Sequence, residues 1–239
     1  MNLRNIITNC GQWLRDELEN AHADGIVLGL SGGIDSSVLA ALGREALGRE
    51  KVLGVIMPCH SIEQDEADAR LLAESLDVKF IRVDLSGVFD SMLASIGGEF
   101  NSLVKSNMKA RLRMVTLYAV AQSKNFLVCG TSNKSEYETG YFTKFGDSGV
   151  DLMPLANFLK RDIKKIAKIL NVPEKIISKA PSAGLYEGQT DEGDMGFSYE
   201  TLDEYLATGN INDENARTRI DVMRRRSEHK RKPIPIFKF

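Results

Sequence analysis

The strongest constraint on this chain is a set of short apolar runs that leave no polar face. Asp24–Leu30 (DGIVLGL), Lys51–Met57 (KVLGVIM) and Phe126–Gly130 (FLVCG) place apolar residues at successive positions, not alternate ones. A strand of that kind has to be covered on both sides, as in a parallel sheet held between helices. Lys79–Val83 (KFIRV) reads as a further strand. Helical stretches separate the runs. Ile34–Leu47 carries a stripe of Ile34, Val38, Leu39, Leu42 and Leu47, a polar helix covers about Ile62 to Leu76, and a long one about Val104–Lys124. The predicted fold class is α/β: a doubly wound parallel sheet with helices on both faces. Ligands are then expected at the carboxyl ends of the strands.

After Val150 the pattern changes. Asn157–Leu170 reads as an amphipathic helix with Asn157 as cap and Pro173 as a stop beyond it. Ser182–Gly196 holds four glycines and several acids without periodicity, so 183–196 is expected to be a mobile lid or a disordered excursion. Ser198–Leu206 resumes helix, with Asp203 and Glu204 expected on its exposed side. Arg217–Lys232 contains eight Arg or Lys residues, a basic segment that reads as a solvated helix face or a phosphate-binding edge. With no repeat and no low-complexity linker, residues 1–239 are expected to form a single domain.

Charge and cysteine usage remove several classes of function. Thirty-one Lys and Arg against 33 Asp and Glu leave a net charge of -2, which excludes a generally basic nucleic-acid coat but not a local basic site. Cys10, Cys59 and Cys129 lack CxxC spacing, so neither a disulfide framework nor a structural zinc site is expected. Cys129 reads as a buried small hydrophobe, while Cys59, after Pro58 at a strand end, is expected to be more exposed. The amino-terminal segment is too charged for a signal-peptide core, and no 18-residue apolar run occurs. The expected setting is cytoplasmic, with no membrane or nucleic-acid partner.

The sharpest local signal is Gly29-Leu30-Ser31-Gly32-Gly33-Ile34-Asp35-Ser36-Ser37, between a predicted strand and a predicted helix. Glycines tolerate positive φ and leave amides open to an anion, and the helix start adds free N–H groups and the positive end of its dipole. Asp35 facing a bare phosphate would be repelled, whereas a Mg2+ ion between carboxylate and phosphate makes its charge useful. Ser36 and Ser37 are expected to bring hydroxyls near that centre. Neither GxxxxGK[ST] nor GxGxxG is present, so P-loop ATPases and dinucleotide dehydrogenases lose support.

SGGIDSS after an apolar strand resembles the pyrophosphate loop of the ATP pyrophosphatase superfamily, which cleaves ATP between the α and β phosphates and adenylates a substrate. Gly130-Thr131-Ser132-Asn133-Lys134-Ser135-Glu136 and Gly140–Asp147 (GYFTKFGD), running on to Asp151, are similar to segments of the ammonia-dependent NAD(+) synthetase family. So are His60–Ala67, Asn107–Arg113, Pro154–Lys160, Lys179–Ala183 and Glu228–Pro233. The likeness covers nearly the whole chain in consistent order. Phe145, Ser148 and Ser182 depart mildly from the family pattern, and Ser182 keeps the hydroxyl of the more usual Thr.

The resemblance implies an adenine nucleotide alpha hydrolase-like fold, a homodimer, and two chemical steps. The nicotinate carboxylate of deamido-NAD attacks the α phosphorus of ATP, releasing pyrophosphate, and ammonia then displaces AMP from the acyl-adenylate. Positioning and electrostatics suffice for this, so no covalent nucleophile is expected. ATP contacts are implied at Gly29, Leu30, Ser31, Gly32, Gly33, Ile34, Asp35, Ser36, Gln64, Thr131, Lys160 and Ser182, with Mg2+ on Asp35 and Glu136. Deamido-NAD contacts are implied at Arg111, Lys144, Asp147, Asp151, His229 and Lys230. The first strand near Asp24 leaves no room for a fused glutaminase domain, so ammonia is expected free or from a separate protein. The competing reading is another adenylating ATP pyrophosphatase, acting on a purine nucleotide or a tRNA base.

Overall fold

The computed structural model describes residues 2–182 and 190–239. In chain order the elements are α1 (Leu3–Asn20), β1 (Gly25–Gly29), α2 (Ile34–Leu47), β2 (Val52–Ile56), α3 (Glu63–Ser75) and β3 (Lys79–Arg82). They continue with α4 (Ser86–Ile96), α5 (Ser102–Lys124), β4 (Phe126–Val128), α6 (Lys134–Thr139) and α7 (Lys160–Ile169). The last are α8 (Glu174–Ile177), α9 (Asp191–Met195), α10 (Tyr199–Thr208), α11 (Glu214–Arg226) and α12 (Glu228–Arg231).

Among the described residues the strands form one parallel sheet in the order β3-β2-β1-β4. The apolar runs explain its two covered faces. Ile26 and Leu28 of β1 pack with residues of α1, α2 and α7, while the intervening Val27 packs with Phe89 of α4 and Met108 and Leu117 of α5. A third apolar cluster, with Met195, Phe197, Leu202 and Ile220, joins α9, α10 and α11. The chain moves outward from β1 to β2 and β3, then returns to place β4 on the other side of β1. The loops after β1 and β4 therefore adjoin at the switch point, where open α/β sheets bind ligands. No helix among the described residues is long and apolar enough to cross a membrane.

Several expectations need correction. The helix expected from Asn157 begins at Lys160, because its first N–H groups are capped from a distance and not by Asn157. Ser135 Oγ accepts from Lys160 N at 3.1 Å, and Asp203 accepts from Arg161 N at 2.7 Å. Asp203, expected to face solvent, is 1% exposed as a result. Cys59 is also buried, its thiol directed to the Leu85 carbonyl. Of the proposed lid, 183–189 lies outside the described residues, whereas Asp191–Met195 is a short helix capped by Thr190. The helices α1 and α4 had no counterpart in the pattern reading.

Candidate active site

The loop after β1 has the backbone its glycines permit. Gly32 adopts φ 76°, and a Cβ there would overlap the Asp65 carbonyl oxygen of α3, so glycine is required twice over. Leu30 is buried in the core, which leaves only its backbone for a ligand. The Ser36 and Ser37 hydroxyls, expected beside a metal, instead donate to Gly33 O at 3.0 and 2.8 Å. Ser31 Oγ lies 3.1 Å from Ser36 Oγ and accepts from Gly33 N. These bonds lock the loop and leave Asp35, in the first turn of α2, as its projecting carboxylate.

Asp35 meets residues from two other elements. Lys160, the first residue of α7, donates to Asp35 Oδ2 at 2.6 Å and to Glu136 Oε1 at 3.0 Å. Asn133 Nδ2 donates to Asp35 Oδ1 at 2.8 Å. Asn133 and Glu136 also form the reciprocal capping box that starts α6, so local sequence fixes the direction of Glu136. Burial raises the Glu136 carboxyl above its ordinary range and Asp35 adds to the rise, against the pull of Lys160. For Lys160, 2% exposed, burial disfavours the charge but the two carboxylates outweigh it and hold the ammonium protonated.

The same centre extends to α9 and α10. Tyr199 donates its phenol proton to Asp191 Oδ2 at 2.9 Å, lies 3.4 Å from Glu136 Oε1, and sets its ring 4.8 Å from Lys160 Nζ. Burial raises the Asp191 carboxyl and, together with Glu136 and Asp191, raises the Tyr199 phenol. A cavity of about 160 Å³ is lined by Ile34, Asp35, Glu136, Tyr141, Asp147, Lys160, Lys179, Pro181, Ser182 and Asp191, among others. That is less than the roughly 300–1,000 Å³ of a drug-sized ligand site, so it fits a reacting centre and not a whole nucleotide. Two hard carboxylates from the first turns of α2 and α6, converging on one buried cation, form a donor set that suits a divalent ion shared with phosphate oxygens. No group of three or more His, Cys, Asp or Glu side chains among the described residues is placed to hold a metal by itself.

The remaining sequence-derived candidates divide into two groups. Asp147 and Ser182 line the cavity with Asp35, Glu136 and Lys160. Thr131 stands in the loop after β4 outside that lining, and Gln64 spends its amide on Asp68 at 2.8 Å. Arg111, Lys144 and His229 form a separate chain: Arg111 donates to Lys144 O at 3.2 Å and Lys144 Nζ to His229 O at 2.7 Å. Lys230 Nζ donates to Gly140 O and Phe142 O, which ties α12 to the Gly140–Asp147 loop. Asp151 accepts from Tyr118 OH at 2.9 Å and Val128 N at 2.8 Å, bonds that clamp α5 to β4.

Residues 6–234 match the family model described as NAD synthase. The chain belongs to the NAD synthase family. A relative from Finegoldia magna called NH(3)-dependent NAD(+) synthetase is 48% identical over 241 residues, covering all of this chain and 98% of that protein. A solved structure of an NMN synthetase from Francisella tularensis aligns over the full length of both chains with TM-score 0.95 and 39% identity. An NH3-dependent NAD synthetase from Campylobacter jejuni, solved with nitrate, also aligns over both full lengths, at TM-score 0.83 and 29% identity.

Within this NAD synthase framework the sequence reading missed Asp191, Tyr199, Tyr141 and Lys179 as lining or bracing residues. Lys179 is held by Asp65 at 2.7 Å and Asp68 at 2.8 Å. KAPSA pointed to its neighbour Ser182. The run TDEG, a cap followed by acids, was a helix-start signal at Asp191 hidden by the glycines around it.

Proposed function

We propose that this chain is an ammonia-dependent ligase that amidates deamido-NAD to NAD, with ATP converted to AMP and pyrophosphate. The observation carrying this reading is the convergence of Asp35, from the first turn of α2 after β1, and Glu136, from the first turn of α6 after β4, on the buried Lys160 ammonium. Family membership and the 48% identical relative support the substrate pair.

Each residue then has a physical task. The Gly32 amide and the first turn of α2 receive ATP phosphates, since the Ser31 and Gly33 amides are spent on Ser36 Oγ and Ser31 Oγ. Asp35 and Glu136 would hold Mg2+, which when bound neutralises phosphate charge and polarises the α phosphorus toward attack. Lys160 shares those carboxylates, so it supplies a second positive charge to the phosphates as they arrive. Ser182 offers a hydroxyl at the cavity edge, and Thr131 and Gln64 are assigned to the nucleotide periphery. Arg111, Lys144, His229 and Lys230 form the basic edge for the two phosphates of deamido-NAD. Asp147 and Asp151 stand on the nicotinate-ribose side, where Asp151 also braces β4.

Exposed apolar side chains on α4 and α5, including Val88, Met92, Ile96, Leu103 and Val115, favour a homodimer through that face. Residues 1–239 are assigned to one synthetase unit. The Francisella tularensis likeness supports a second reading, in which nicotinic acid mononucleotide takes the place of deamido-NAD. Both acids present the same nicotinate carboxylate and differ in the AMP half. Purified protein is incubated with ATP, Mg2+, ammonium and one acid at a time, and the products are separated. NAD, AMP and pyrophosphate formed more efficiently from deamido-NAD support the first reading. Preferential NMN formation supports the second, and ADP as the nucleotide product refutes both.

A further inference from the structure

Lys179 is a second cation on the cavity wall, and it is fixed more tightly than charge neutralisation requires. Asp68, 1% exposed on α3, already has a counter-charge in Lys175 of α8 at 2.7 Å. It nevertheless accepts from Lys179 Nζ at 2.8 Å as well, and Asp65 accepts from the same nitrogen at 2.7 Å. A lysine ammonium has three N–H donors, so two of them are spent on α3. The third has no acceptor among the described residues, and the side chain lines the cavity. Burial disfavours the charge of Lys179, but the bonds to Asp65 and Asp68 outweigh it and raise the ammonium above its ordinary value. A cation anchored at two points with one donor left over is set to receive an anionic oxygen.

The neighbours say which anion. The start of α3 is pressed against the phosphate loop, since a Cβ on Gly32 would overlap the Asp65 carbonyl oxygen and come within 3.2 Å of Asp68 Cβ. Lys179 is therefore anchored to the turn that backs the Gly32 amide. Lys160 stands on a different pair of carboxylates, Asp35 and Glu136, and the two lysines share no partner. Both line one cavity, with Pro181 and Ser182 continuing the wall from Lys179. A triphosphate whose α phosphorus lies by Lys160 and the metal ligands then has its outer phosphates beside Gly32 and Lys179.

Resting on the amidation reading above, we propose that Lys179, aimed by Asp65 and Asp68, binds the β and γ phosphates of ATP, the pair that leaves as pyrophosphate. The nicotinate oxygen bonds to the α phosphorus as the bond from that phosphorus to the bridging oxygen breaks. The electron pair of the broken bond departs on pyrophosphate, where the Lys179 N–H meets the growing charge.

The test separates a contact with the outer phosphates from a general effect of charge. Calorimetry measures the binding of α,β-methylene-ATP and of AMP, each with Mg2+, to the full chain, to Lys179→Met, and to the double variant Lys179→Met, Asp65→Asn. The double variant restores the net charge of the wall, and AMP lacks the outer phosphates. Loss of one charge-assisted contact should weaken α,β-methylene-ATP about 10- to 100-fold in both variants and leave AMP within about twofold. Unchanged binding of the analogue, or equal loss for the analogue and AMP, would overturn the proposal. So would recovery of analogue binding in the double variant, because overall charge alone would then explain the loss. Circular dichroism checks folding, and Lys179→Gln replaces Lys179→Met if that variant unfolds. ADP in place of AMP and pyrophosphate among the wild-type products with deamido-NAD would instead reject the amidation reading itself.

Discussion

Asp203→Ala tests whether the active-site lysine is held from outside its own helix. Asp203, fully buried on α10, accepts from Ser135 Oγ at 2.5 Å and from Arg161 N at 2.7 Å. Ser135 Oγ in turn accepts from Lys160 N at 3.1 Å. Two of the first N–H groups of α7 thus depend on one carboxylate and its hydroxyl neighbour. Losing a helix cap costs about 0.5–2 kcal/mol. Leaving a buried donor without an acceptor adds about 1–3 kcal/mol. A loss of about 2–4 kcal/mol is therefore expected, and at roughly 2–4 °C per kcal/mol for a chain of this size Tm should fall roughly 5–15 °C. Turnover should drop about 10- to 100-fold, as for a displacement of the reacting groups on the order of 1 Å. A double-mutant cycle with Ser135→Ala, followed by thermal and urea unfolding, isolates the network. Coupling of about 1 kcal/mol or more is expected, whereas additivity within about 0.5 kcal/mol would refute the reasoning.

Three further outcomes are expected. Asp35→Asn should stay folded but lose about 10²-fold or more in turnover, because charge placement at the phosphates is weakened. Wild-type turnover of that variant at limiting Mg2+ would remove Asp35 from the metal assignment. Glu136, raised above its ordinary value of 4.5 by burial and then by Asp35, binds its proton more tightly folded than unfolded. Its contribution to stability is thus fully present below pH 4.5 and is lost as pH rises through the folded value. Without divalent cations the Tm of Glu136→Gln relative to wild type should climb from acid toward neutral pH, and a flat difference counts against the argument. Gly140→Ala should free the α12 segment, because Gly140 adopts φ 68° and an added Cβ would overlap Ser227. Faster tryptic cleavage at Arg224–Arg226 is the readout, and unchanged cleavage would show that the contact yields without cost.

Legibility followed the range over which each interaction acts. β1, β2 and β4 were readable because a strand buried on both faces needs successive apolar residues, and the structure trims them by only a residue or two. Gly32 and Asp35 were readable because a turn and a helix start act on neighbours in sequence. Asn133 and Glu136 form a capping box within four residues, so their local geometry was also encoded nearby.

The chain alone thus determined the parallel α/β class, the loop after β1 and the family resemblance, all products of short-range patterning. Only the tertiary structure decided that Lys160 is a buried bridge and not a solvated helix residue, since its partners lie 125 and 24 residues away. Only it showed that Asp203 faces inward to cap another helix, and that Asp191 turns into the cavity to take the Tyr199 phenol proton. A charged side chain looks the same in sequence whether water or a distant counter-charge solvates it. Its role is fixed by which element folding places opposite, and hydrophobic periodicity carries no record of that choice.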